Sequence, residues 1–70
     1  MEIENEIVER GVWYEVAEDL RTYHFANGGS YSVRDCTRLK VSERGTHYVL
    51  DTNDVLHIIN NSWIAIEVVE

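Results

Sequence analysis

This chain reads as a small, mainly β protein: a single antiparallel meander of four or five strands, curled towards a barrel, behind a short helical or irregular N-terminal segment. Three observations carry that reading. Apolar and polar residues alternate with a period of two over roughly the last forty residues. Turn signals at Asn27-Gly28-Gly29, Arg44-Gly45, Thr52-Asn53-Asp54 and Asn60-Asn61-Ser62 interrupt the alternation at short intervals. No connection between them is long enough for the crossover that parallel strands require. A helical start would make the fold α+β rather than all-β.

Taken in order, the N-terminal third is the least regular part. Val8, Val12, Val16 and Leu20, with Trp13 and Ala17 alongside, match a helical stripe. Gly11 interrupts it, and Val12-Trp13-Tyr14 with Val16 is rich in strand formers. The stripe predicts a helix over residues 12–20 and leaves residues 1–6 loosely held. Arg21–Ala26 follows, with Tyr23 and Phe25 alternating against polar neighbours. Asn27-Gly28 then reverses the chain, because both residues tolerate positive φ.

Ser30–Ser42 places Tyr31, Val33, Leu39 and Val41 on one face. Ser32, Arg34, Cys36, Arg38 and Lys40 fall on the other. Asp35 and Thr37 would point inward in a regular strand, which predicts a bulge near residues 35–37. At Arg44-Gly45 a two-residue loop pairs Val41 with Tyr48 and Leu39 with Leu50. A three-residue loop would mix them with His47 and Val49 instead. Apolar matching favours the shorter loop, although Gly45 also suits a bulge. Thr46–Asp51, Val55–Ile59 and Trp63–Val69 complete the meander, and with no proline in the chain no strand is demoted on that ground.

The predicted core face then holds Tyr23, Phe25, Tyr31, Val33, Leu39, Val41, Tyr48, Leu50, Leu56, Ile58, Ile64, Ile66 and Val68, with Leu50, Leu56, Ile64 and Ile66 among the most buried. The opposite face is apolar in its second half, through Val49, Val55, Ile59, Trp63, Ala65 and Val69. Strands apolar on both sides need two covers. Val55, Ile59, Trp63 and Val69 are therefore the candidate partner-binding residues, expected to be shielded by Val12, Trp13 and Val16 or by a second subunit.

Charge is distributed in blocks. Residues 1–20 carry seven acids and one base, residues 21–50 two acids and five bases, and residues 51–70 four acids and no base, which sums to −7. Seventy residues are expected to form one domain, an acidic segment over 1–20 and the meander over 21–70. A lone cysteine, Cys36, cannot form an internal disulfide. With no basic flank or apolar run at Met1-Glu2-Ile3-Glu4, and no apolar stretch of about 20 residues, the expectation is a cytoplasmic protein that does not span a membrane.

Chemistry-bearing constellations are sparse. The three histidines, His24, His47 and His57, lack His-x-x-x-His or Cys-x-x-Cys spacing, so no metal or cofactor is expected. Asp51-Thr52-Asn53-Asp54 begins like a calcium loop but lacks the central glycine and distal glutamate. Cys36, flanked by Arg34 and Arg38, has only His47 as a candidate base, too distant along the strand for a catalytic pair. No catalytic residue is assigned, and the chain is read as a non-enzyme. Arg34, Arg38 and Lys40 project together, with Arg44 at the adjoining turn, as a basic patch whose simplest role is to neutralise the acidic segment.

The function these features favour is a small acidic protein-interaction module that associates with itself as a homodimer. One alternative is an inhibitor of the kind mobile elements use, occupying a basic nucleic-acid-binding surface of a host protein; size and negative charge motivate it. Another is weak nucleic-acid binding through the basic strand, which the overall charge opposes.

Overall fold

The computed structural model describes residues 9–70, all in one five-stranded antiparallel sheet and its turns. The strands are β1 (Trp13–Phe25), β2 (Ser30–Val41), β3 (His47–Asp51), β4 (Leu56–Ile59) and β5 (Trp63–Val69). Their order across the sheet is β4-β3-β2-β1-β5. The meander thus runs from β1 out to β4, and β5 returns to the far side of β1. The sheet curls without closing: the Trp63 ring on β5 lies 5.2 Å, centroid to centroid, from His47 on β3. The expectations for residues 1–6 and Val8 lie outside the described residues.

The predicted helix over 12–20 is a strand. Val12-Trp13-Tyr14 and Val16 prefer a pleated surface, and pairing with β2 from Trp13↔Lys40 to His24↔Ser30 supplies the backbone bonds that a helix would have made internally. Gly11, at φ 78°, starts the strand by donating its N–H to Val41 O at 2.8 Å.

The bulge expected near residues 35–37 is present. Asp35 adopts φ 55°, and the β2–β3 register shifts between Cys36 and Arg38. It also corrects the placement of Cys36, which turns inward to be buried rather than joining Arg34 and Arg38 on the outer face.

The loop between β2 and β3 has three residues, not two. Ser42 N bonds Thr46 O, Gly45 N bonds Ser42 O, and Gly45 takes φ 87°. Val41 therefore pairs with His47, and Leu39 with Val49. That one-residue change inverts the faces of β3 and β4 relative to the expectation. Val49, His47 and Ile59 go inward, whereas Leu56 is 47 % and Ile58 62 % exposed. Leu50 is only half-buried. On β5 the register slips between the pairs His24↔Ala65 and Phe25↔Trp63. Trp63 and Ile66 both pack on the core as a result, and Ile64 stands 67 % exposed.

Tyr23, Val33, Cys36, Leu39, Val41, Val49 and Ile59 form the core, with Val16, Phe25, Trp63 and Ile66 packed against it. This small core also encloses Glu18, Arg21 and His47. Arg21 Nε donates to Glu18 Oε1 at 2.8 Å and a terminal nitrogen donates to Oε2 at 3.1 Å. Arg21 also donates to the Tyr23 hydroxyl, which shares a hydrogen bond with His47 Nδ1 at 2.6 Å. A buried carboxylate, guanidinium, phenol and imidazole are thereby joined in one satisfied chain, the condition for tolerating polar groups in a core.

Candidate interaction surface

Register determines what the outer face presents. Ile58, Tyr48, Lys40 and Trp13 form one row across β4, β3, β2 and β1, and Leu56, Leu50, Arg38 and Glu15 form the next. Lys40 Nζ lies 5.0 Å from the centroids of both the Trp13 and Tyr48 rings, a cation held between two aromatic faces. Farther along, Arg34 is followed by Leu20 and Val69, then Ser32 by Thr22 and Glu67, and Ser30 by His24 and Ala65. His24 Nε2 and Glu67 Oε1 are 2.6 Å apart there.

The basic patch is partly as expected. Arg34, Arg38 and Lys40 share the outer face of β2, and Arg44 is exposed in the β2–β3 loop. The aromatic partners that Lys40 meets come from neighbouring strands, so β2 alone gave no sign of them. The candidate partner-binding residues do not share a surface. Ile59 is in the core and Trp63 packs on it, while Val55 is 49 % and Val69 52 % exposed at opposite ends of the sheet. The cover expected over all four is therefore corrected: the core shields two, and two face solvent.

Sequence reasoning placed Ile64, Ile58 and Leu56 in the core, and all three are exposed. Finding them required the loop length and the slip in β5, neither of which an alternation pattern reports. Together with Val55 and Val69 they lie on or beside β4 and β5, the two end strands.

A second polar chain lies on the inner face at the β4 side. His57 Nε2 donates to Asp51 Oδ2 at 2.9 Å, which leaves Nδ1 to accept from the Tyr31 hydroxyl at 2.8 Å. Asp51 Oδ1 also accepts the backbone N–H groups of Asn53 and Val55. The bond from His57, then that from Val55, holds the Asp51 carboxyl below its ordinary range. Beside Tyr31 an open cleft of about 430 Å³ runs between the β1–β2 turn and β4, lined by Phe25, Asn27, Tyr31, Ile58 and Asn60. No charged side chain lines it.

Cys36 is placed for structure. Burial first, and then the Glu18 carboxylate, push its thiol up to about 12, which keeps it protonated at neutral pH and removes the thiolate that nucleophilic chemistry needs. Among the described residues no three His, Cys, Asp or Glu side chains converge as a metal site, and no helix is long and apolar enough to cross a membrane.

Comparison with known proteins finds no matching family model, curated protein or solved structure.

Proposed function

We propose that this chain is a non-enzymatic protein-interaction module that associates with itself. The observation that supports it most is the location of exposed apolar side chains. Among the described residues, five of the eight large apolar side chains that are exposed, Val55, Leu56, Ile58, Ile64 and Val69, lie on or beside the two end strands of an open sheet. End strands offer unpaired backbone groups, and apolar residues beside such edges favour adding a further strand or covering sheet. Among the described residues, a core of seven buried apolar side chains with charged groups inside it leaves modest stability, which association would supplement. Sedimentation equilibrium of the full chain is the test. Reversible association in the micromolar range is expected, and a monomer at high micromolar concentration would reject the reading.

One observation favours a second reading, binding of single-stranded nucleic acid. The Trp13–Lys40–Tyr48 stack, with Arg38 and Arg34 beyond it, combines aromatic faces with positive charge on one surface. The net charge of −7 opposes it. A gel shift with single strands, weakened by salt and by Lys40→Ala, would favour this reading over the first.

A further inference from the structure

We propose that Tyr31 is a nucleophile that accepts an acyl group from an uncharged activated ester or thioester seated in the cleft between the β1–β2 turn and β4. Such a reaction is independent of the self-association proposed above. Side chains from three strands carry it. Asp51 ends β3, His57 lies within β4, and Tyr31 stands near the start of β2, paired with Tyr23 of β1. Asp51 is fixed by its own turn: Oδ1 accepts the backbone N–H groups of Asn53 and Val55, and Oδ2 accepts from His57 Nε2. The ionised carboxylate therefore leaves His57 Nδ1 as the acceptor for the Tyr31 hydroxyl, 2.8 Å away. Asp51 and His57 are largely buried, whereas Tyr31 is exposed and lines the cleft. A hydroxyl held against a base that a third group orients is the arrangement that activates a nucleophile. Tyr23 and His47 repeat the phenol–imidazole pair in the core, but both are buried and Arg21 donates to that phenol.

The step balances within these groups. The Tyr31 oxygen bonds to the acyl carbon as its proton passes to His57 Nδ1, and Asp51 meets the positive charge that the ring acquires. The bond from the acyl carbon to the leaving group then breaks, and the departing phenolate, alkoxide or thiolate takes the proton from His57. One ester on Tyr31 remains. The cleft selects the donor. No charged side chain lines it and the chain carries −7, which together disfavour anionic donors such as acyl phosphates. Phe25 and Ile58 supply apolar walls for a neutral one. Asn27 and Asn60 also line the cleft, and they use their carboxamide oxygens inside their own turns, at Gly29 N and Ser62 N. Their amide N–H groups are left to donate to the carbonyl oxygen as it gains charge.

The test treats the full chain with p-nitrophenyl acetate and locates acetyl groups by peptide mass spectrometry, with circular dichroism confirming that each variant folds. Tyr14 and Tyr48 are the internal references, since both are partly exposed and neither bonds to an imidazole among the described residues. Tyr31 should be acetylated roughly 100-fold faster than either, the lower end of what a positioned base contributes. His57→Ala and Asp51→Asn should each remove most of that advantage. A bond to His57 that merely shielded the phenol would act the other way, because His57→Ala would free the hydroxyl and raise its labelling. Labelling of Tyr31 that is unchanged or raised in His57→Ala overturns the proposal, as does a wild-type Tyr31 that reacts no faster than Tyr14 and Tyr48. Acetyl phosphate, an anionic donor of the same acetyl group, should show a smaller preference for Tyr31 over the two references. An equal or larger preference would overturn the assignment of an uncharged donor.

Discussion

Glu18 and Arg21 have side chains 2 % and 0 % exposed, and they face each other through two parallel hydrogen bonds. Two ions removed from water lose several kcal/mol of hydration each, and their attraction offsets that only while the geometry is kept. Glu18→Ala strands a guanidinium in the core and should cost about 3–5 kcal/mol in a urea titration, a large part of the stability of so small a domain. The double change Glu18→Leu with Arg21→Met should recover most of that loss, since apolar residues of similar size can replace a buried pair at little cost. Asp51 contributes to the acid response. Its carboxyl is held below the ordinary aspartate value of 3.8, so its ionised form favours the folded state. That contribution is complete at neutral pH and declines as pH falls below 3.8, through the folded-state value. Stability measured from pH 6 to pH 2 should fall less steeply at its acid end for Asp51→Asn than for the wild-type chain.

At the scale of elements, one device recurs. All three hairpins turn through three residues: Ala26-Asn27-Gly28, Glu43-Arg44-Gly45 and Thr52-Asn53-Asp54. Each is closed by the same two backbone bonds, and the third residue has φ 89°, 87° and 61° respectively. This is a type I turn followed by a left-handed residue, a common three-residue hairpin. Two positions use glycine and the third uses aspartate, whose Cβ strains there. Asp54→Gly should therefore raise stability by up to about 1 kcal/mol, whereas Gly45→Ala should lower it by about as much, both read from the thermal midpoint. A Cβ at Gly45 would meet Asn61 Cβ at an ordinary 3.5 Å, so that loss would be backbone strain rather than a clash. These loops also explain what was legible. Glycine, asparagine and aspartate marked every reversal, and alternation marked β2 through β5. Gly45 is compatible with two-residue and three-residue loops alike, however, and a step of one residue exchanges the two faces of a strand. The attractive match of Leu50 and Leu56 with the core misled for that reason. Polar His47 goes inside because the Tyr23 hydroxyl satisfies it, a compensation that no hydropathy pattern contains. The N-terminal stripe misled differently: Val16 and Leu20, four apart, share one face of a helix, but the register shift between Glu15 and Glu18 leaves Val16 against the core and Leu20 in the outer row with Arg34 and Val69.

For the whole molecule, the basic face of β2 was readable because it lies within one strand. The surfaces that join strands were not, since Lys40 meets Trp13 and Tyr48 only after β1, β2 and β3 are assembled. Sheet order has a further consequence, for the sequence of events in folding. β1–β2, β2–β3 and β3–β4 are hairpins that close over three residues each. The pairing of Phe25 with Trp63 spans most of the chain between them. Closing that long loop costs more entropy than any hairpin and brings only one edge of pairing in return. β5 should thus dock last and detach first. Native-state hydrogen exchange should find the β5 amides opening at a lower free energy than those of β2 and β3. An end strand would then also be the one that the molecule most readily releases, so a swap of β5 between two copies is a folding error this topology invites.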